Sequence, residues 1–182
     1  MLSDLKKRKL TRYFRVCDVD DDSRVSRPDF ERVVENVRML HGVDDNSPGH
    51  RALRDGYLRR WEGIRASADA DSDGSVDLDE WLAYWEAVLA DEGRYQAEIA
   101  QVTDQLFELF DSDADGALDA DEFCNFYGVH GLKSDLAREV FADLDLDGDG
   151  VVTREELMEM AHQFYRSDDP DAPGNRLFGS TG

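Results

Sequence analysis

Carboxylates recur along this chain at a spacing that suits the capture of a hard cation. Four twelve-residue frames begin at Asp18, Asp69, Asp111 and Asp145, their first residues 51, 42 and 34 positions apart. They read Asp18-VDDDSRVSRP-Asp29, Asp69-ADSDGSVDLD-Glu80, Asp111-SDADGALDAD-Glu122 and Asp145-LDGDGVVTRE-Glu156. The last three match the calcium-loop pattern of acids at positions 1, 3 and 5, glycine at 6 and glutamate at 12. A calcium ion takes six to eight oxygens at about 2.3–2.6 Å without strict geometry. Three side-chain carboxylates converge as the chain curls, position 7 adds a backbone carbonyl, position 9 often acts through water, and position 12 closes the shell with both oxygens. The expected ligands of loop 1 are therefore Asp18, Asp20, Asp22, the carbonyl of Arg24, and Asp29. Loop 2 offers Asp69, Asp71, Asp73, Ser75, Asp77 and Glu80; loop 3 offers Asp111, Asp113, Asp115, Ala117, Asp119 and Glu122. Loop 4 offers Asp145, Asp147, Asp149, Val151, Thr153 and Glu156. A frame starting at Asp143 is excluded, because it puts Arg154 at position 12 and an arginine cannot ligate a cation.

Loop 1 departs from the pattern twice. Ser23 stands where the backbone must turn left-handed, which glycine does freely and other residues do at a cost of about 1–2 kcal/mol. Asp29 is one methylene shorter than the closing glutamate, so it reaches an ion with both oxygens only if its helix moves inward. With one oxygen it gives a six-coordinate shell, the kind magnesium prefers. Three to four calcium ions are expected, with loop 1 filling last and magnesium competing mainly there.

The elements that position these loops are helices. Leu10, Tyr13, Phe14 and Cys17 precede loop 1 at helical spacing, and Phe30, Val33, Val34 and Val37 follow it. The same periodicity flanks the others, with Trp61 and Ile64 before loop 2, Trp81 and Trp85 after it, and Leu106 and Phe110 before loop 3. Helical spacing of aromatics reads as core. Position 9 (Ser26, Asp77, Asp119, Thr153) also suits the N-cap of each outgoing helix. Position 8 is apolar throughout (Val25, Val76, Leu118, Val152), which predicts short antiparallel contacts pairing loop 1 with 2 and loop 3 with 4. Residues His41 to His50, with Gly42, Pro48 and Gly49, read as a helix-breaking linker, and Gly128 to Ser134 as another. The expected fold is all-α: a pair of hands in 1–92, a second in 93–166, and a tail, 167–182, packed on or between them.

Composition narrows the function. Of the 182 residues 42 are acidic and 21 are Lys or Arg, a net charge of −21. Residues 1–65 hold 15 of the basic and 12 of the acidic residues, so the negative charge lies beyond them. Such a body repels nucleic acid and anionic lipid. The run Lys6-Lys7-Arg8-Lys9 reads as the solvated face of a first helix. No apolar stretch is long enough for a membrane span or a signal peptide, and Cys17 and Cys124 suit free thiols in a reducing cytoplasm. The four histidines show neither metal-ligand spacing nor a paired nucleophile. A monomeric cytoplasmic protein without catalytic activity is expected, with any protein target undefined.

With four hands placed, the chain resembles the sarcoplasmic calcium-binding protein family of EF-hand proteins, including its calerythrin-like bacterial members. The resemblance rests on the loop spacing, the wide gap between the first two hands, the aromatic helices and the tail Asp168 to Gly179. It implies a compact globule with its two hand pairs packed together, the tail folded onto them, and intracellular calcium buffering with magnesium competing. Loop 2 departs from that family, where it is often degraded, because it is intact here. Two other functions compete: a sensor exposing an apolar groove to a target protein, and a carrier of an apolar small molecule. Sensors use flexible methionine for such grooves. Four Met against 9 Phe, 6 Tyr and 3 Trp favour the buffer.

Overall fold

Each frame becomes a loop because its first residue ends one helix and its ninth begins the next. In a computed structural model that describes residues 1–42, 44 and 47–179, Asp18, Asp69, Asp111 and Asp145 are C-caps whose N–H groups return to the preceding helical turn. The first hand is α1 (Asp4–Cys17) and α2 (Arg27–His41); the second is α3 (Pro48–Ala68) and α4 (Leu78–Ala90). The third is α5 (Glu92–Phe110) and α6 (Ala120–Val129), the fourth α7 (Ser134–Leu144) and α8 (Arg154–Arg166). Two short strands, β1 (Val25–Ser26) and β2 (Ser75–Val76), pair antiparallel with Val25 opposite Val76. In the second pair, β3 (Ala117–Asp119) and β4 (Val151–Thr153) set Leu118 opposite Val152. The position-8 side chains are thus partners in both pairs, and all four are fully buried. The architecture is all-α with four EF-hands, as the periodicity predicts.

The first linker reading needs correction. Pro48 and Gly49 do not belong to a linker; they open α3, with the Ser47 side chain accepting from the His50 N–H at 3.1 Å. Proline is favoured at a first helical position, where its missing N–H has no partner to lose. The helix is broken instead at Gly42, the left-handed C-cap of α2 at φ +60°. Val43, Asp45 and Asn46 of the expected linker, and Ser180, Thr181 and Gly182 of the tail, lie outside the described residues.

Helix α1 packs against both α4 and α8, and one hydrophobic core takes residues from both halves of the chain. Trp81 is edge-on to Tyr13, with centroids 5.2 Å apart, and donates its indole N–H to the Leu10 carbonyl at 3.1 Å. Trp85 stacks on Tyr165 at 4.6 Å, while Phe178 stacks on Tyr13 at 4.4 Å and meets Phe164 edge-on. The segment carrying Phe178 passes through a 3-10 turn, Pro173–Arg176, laid on α8. A Cβ at Gly174 would stand 2.5 Å from the Met160 carbonyl, so only glycine allows that approach. Among the described residues no helix is long and apolar enough to cross a membrane.

The basic run is not a uniformly solvated face. Lys7 and Arg8 are exposed, but Lys9 is fully buried. Its Nζ donates to the carbonyls of Gln163 and Ser167, at 3.1 and 2.8 Å, and to Asn175 Oδ1 at 2.9 Å, so all three ammonium protons have acceptors. Burial, helped by the neighbouring Lys6, pushes its pKa down to about 8. Lys9→Met should cost about 2 kcal/mol at pH 7 by stranding buried acceptors. The unfolded lysine titrates near 10.4, so between about pH 8 and that value the unfolded chain binds the extra proton. The Lys9 contribution to stability therefore rises with pH across that window. Urea unfolding of both proteins at pH 7 and pH 10 checks this: the gap between them should widen at pH 10, and a constant or narrowing gap refutes the assignment.

Candidate metal centres

The four loops repeat one hydrogen-bond scheme, built almost wholly from the loop's own backbone. The position-1 aspartate accepts from the N–H groups of positions 5 and 6: Asp18 from Asp22 and Ser23, Asp69 from Asp73 and Gly74. Asp111 does so with Asp115 and Gly116, and Asp145 with Asp149 and Gly150. This equivalence places the fourth frame at Asp145. Asp143 lies inside α7 and pairs with Arg176 at 2.6 Å.

Position 12 is held by both oxygens. Glu80 Oε1 accepts from Ala70 N–H at 2.8 Å and Oε2 from Asp77 N–H at 3.0 Å. Glu122 takes the N–H and hydroxyl of Ser112 on one oxygen and the Asp119 N–H on the other. Glu156 takes Leu146 N–H on Oε1 and both the N–H and hydroxyl of Thr153 on Oε2. Burial opposes ionisation of Glu156, but these donors outweigh it and hold its pKa below the usual range. Asp29 fills the same stations despite its length: Oδ1 accepts from Val19 N–H at 2.9 Å and Oδ2 from the Ser26 N–H and hydroxyl at 2.8 Å. It is 1% exposed. The first loop has closed around the shorter side chain.

Position 9 stands at the N-cap of each outgoing helix, as its residue types predict. The side chains of Asp77, Asp119 and Thr153 cap α4, α6 and α8 by accepting the position-12 N–H. Two backbone stations per loop are left-handed. Position 6 is expected, and Ser23 adopts φ +68° where Gly74, Gly116 and Gly150 lie near +90°. Position 4 is the station sequence reasoning missed: Asp21, Ser72 and Ala114 stand at φ +58° to +62°, and only Gly148 carries the residue type that would signal it. Ser23→Gly should relieve about 1–2 kcal/mol of strain in the folded loop, partly offset by the more flexible unfolded chain. The resulting gain of up to about 1 kcal/mol is expected in the calcium-saturated urea midpoint, and a loss refutes the strain argument.

Carboxylate oxygens converge in each loop. Those of Asp18, Asp20 and Asp22, of Asp69, Asp71 and Asp73, of Asp111, Asp113 and Glu122, and of Asp145, Asp147 and Glu156 lie within 4.8 Å of one another in each set. Like charges so close are costly unless a cation joins them. In loop 1 burial raises the pKa of Asp18, and Asp20 Oδ1 is shielded from solvent with no donor facing it. A hard cation supplies what such oxygens lack. Two arginines reach these carboxylates: Arg24 Nη1 stands 2.5 Å from Asp73 Oδ2, and Arg32 Nη2 lies 3.9 Å from Asp20 Oδ2. Sequence reasoning gave Arg24 only a carbonyl role, because its side chain acts on the neighbouring loop.

Comparison with known proteins agrees with this geometry. The family described as EF hand matches residues 66–83 and 137–161, and the EF-hand domain pair matches residues 100–129. Calerythrin of Saccharopolyspora erythraea is 24% identical over 159 residues, covering 86% of this chain and 90% of that protein. Sarcoplasmic calcium-binding proteins I, III and IV of Branchiostoma lanceolatum are 23% identical over 182 residues, covering 98% of each. Among solved structures, the coelenterazine-binding protein from Renilla muelleri superposes with a TM-score of 0.75 at 20% identity, over 98% of this chain and 99% of that one. With four acidic loops in paired hands and full-length likeness to these relatives, the chain is a four-EF-hand protein similar to calerythrin and the sarcoplasmic calcium-binding proteins.

Proposed function

We propose that the protein is a cytoplasmic calcium buffer or signal modulator, acting as a monomer and without catalytic activity. Three to four ions fill loops formed by the position 1, 3, 5 and 12 side chains, by Asp77, Asp119 and Thr153 at position 9, and by the carbonyls of Arg24, Ser75, Ala117 and Val151. Magnesium competes mainly at loop 1. The hand pairs, residues 1–92 and 93–166, are the binding units, and the tail that begins at residue 167 packs on or between them. The observation that carries the buffer reading over the sensor is the interior. Trp81, Trp85, Tyr165 and Phe178 interlock across both halves, and the one fully buried methionine, Met160, lies under the Gly174 turn. Opening a groove for a target helix would have to unstack these rings. Calcium titration with and without magnesium, followed by tryptophan emission and an apolar-surface dye, tests this. Saturation without a rise in dye fluorescence is expected; a large calcium-dependent rise favours the sensor.

A second reading, a carrier of a small organic molecule, draws support from one cavity. It has a volume of about 70 Å³ and lies among Tyr13, Arg60, Ile64, Val102, Phe110 and His130. Arg60 Nη1 is shielded there without a hydrogen-bond partner. Burial and the adjacent Arg60 lower the pKa of His130, whose Nδ1 is 3.0 Å from the Phe126 carbonyl. At about 10–15 Å³ per water the space holds only a few solvent molecules, so a larger guest requires the hand pairs to part. Native mass spectrometry of the purified protein distinguishes the readings, since a retained organic mass favours the carrier.

A further inference from the structure

The two loops of the first pair are not independent. We propose that Arg24 is an internal counter-cation for loop 2, stabilising that loop when it is metal-free and lowering its calcium affinity. This rests on the reading of loop 2 as a calcium site that uses Asp73. Strand pairing sets Ser26 opposite Ser75, and carries Arg24 alongside the second loop. Its Nη1 donates to Asp73 Oδ2 at 2.5 Å and to Ser75 Oγ at 2.7 Å. The other oxygen of Asp73 already accepts from the Ser75 N–H and hydroxyl, at 2.9 and 2.7 Å. Both oxygens of a position-5 carboxylate are thus engaged by groups of the protein itself.

Loop 3 is the internal control. It presents the same five carboxylates at the same positions as loop 2, yet Asp115 accepts from the Ala117 N–H, and the residue matching Arg24 in the second pair is Ala117 or Val151. Among the described residues no arginine or lysine forms an ion pair with Asp115 or Asp149. An arginine beside loop 2 offsets part of the repulsion among its carboxylates, which favours the metal-free state. By linkage, whatever favours that state weakens the ion that must displace it or share its charge. Loop 2 therefore binds more weakly than loop 3 despite identical carboxylates. The Arg24 carbonyl is also the position-7 oxygen of loop 1, so one residue faces both sites of the pair.

The test compares calcium binding by isothermal titration in the full chain, Arg24→Gln, Asp73→Asn and the double variant, with thermal midpoints in chelator. Arg24→Gln should tighten one binding step roughly 2- to 5-fold and lower the chelator midpoint by up to about 2–4 °C. The affinity gain should vanish in the Asp73→Asn background, because the cycle removes the shared contact. An unchanged or weakened step in Arg24→Gln, or a gain that persists without the Asp73 charge, overturns the proposal. Asp73→Asn weakening a step while Arg24→Gln does nothing refutes Arg24 alone. Unaltered binding in Asp73→Asn refutes the use of Asp73 and the proposal with it.

Discussion

Stripping calcium from the protein at low ionic strength should lower its thermal midpoint by at least about 10–20 °C. The loops concentrate 18 of the 42 carboxylates at positions 1, 3, 5, 9 and 12, and four divalent ions would take the formal charge from −21 to −13. Those carboxylates lie at the seams of the fold, where each loop fixes the end of one helix, the start of the next and a two- or three-residue strand. Unfavourable charge in a loop therefore acts on the packing of a whole hand. One site with a Kd of about 10⁻⁷ M, held at about 1 mM free calcium, adds about 5 kcal/mol to the folded state by mass action. For a chain of this length each kcal/mol moves the midpoint by about 2–4 °C. Because loop repulsion is screened by salt, the metal-free midpoint should recover partly as ionic strength rises. Calorimetry in calcium and in chelator, at two salt concentrations, measures both effects. A midpoint indifferent to chelator would mean that the loops contribute no binding energy to the fold.

The calcium loop is legible in sequence because it is local. All the oxygens proposed as its ligands fall within twelve consecutive residues, so spacing alone favours Asp145 over Asp143 at the head of the fourth frame, and the hydrogen bonds of Asp145 repeat those of the other three. Pairing of Val25 with Val76 and of Leu118 with Val152 is legible for the same reason, since an apolar residue at a fixed loop position has one neighbour to seek. What sequence hides is set by distant partners. Lys9 looks like part of a solvated charge run until the carbonyls of Gln163 and Ser167 and the amide of Asn175 close over it. Arg24 has no visible side-chain role until the strand register sets it against Asp73. Pro48 misleads differently: proline ends a helix from within but starts one when a serine stands before it as a cap. The reach of Asp29 depends on how tightly the first loop folds, which residue type alone does not fix.

Glu122→Gln should weaken one of the tight calcium steps roughly 100-fold, whereas Asp18→Ala should remove only the weakest. Loop 3 combines five carboxylates with glycine at the left-handed station, and its closing glutamate is fixed on both oxygens by Ser112 and Asp119. The amide replacement keeps the size of that side chain but removes its charge. It also offers one carbonyl oxygen where two carboxylate oxygens stood, and its NH₂ faces the loop's own N–H donors. Loop 1 starts from a poorer position. It has four carboxylates at the same stations, a serine strained at φ +68°, and Arg32 standing 3.9 Å from Asp20. Against this, Asp29 reaches both closing stations and Asp20 keeps a shielded oxygen without a donor, so the loop should fill at high calcium rather than stay empty. Titration of the two variants separates these claims, because the number of ions lost and the affinity class they belong to are read from one isotherm. If Asp18→Ala instead removes the tightest step, closure of the first loop outweighs its strain and its missing charge, and the order of the sites is reversed.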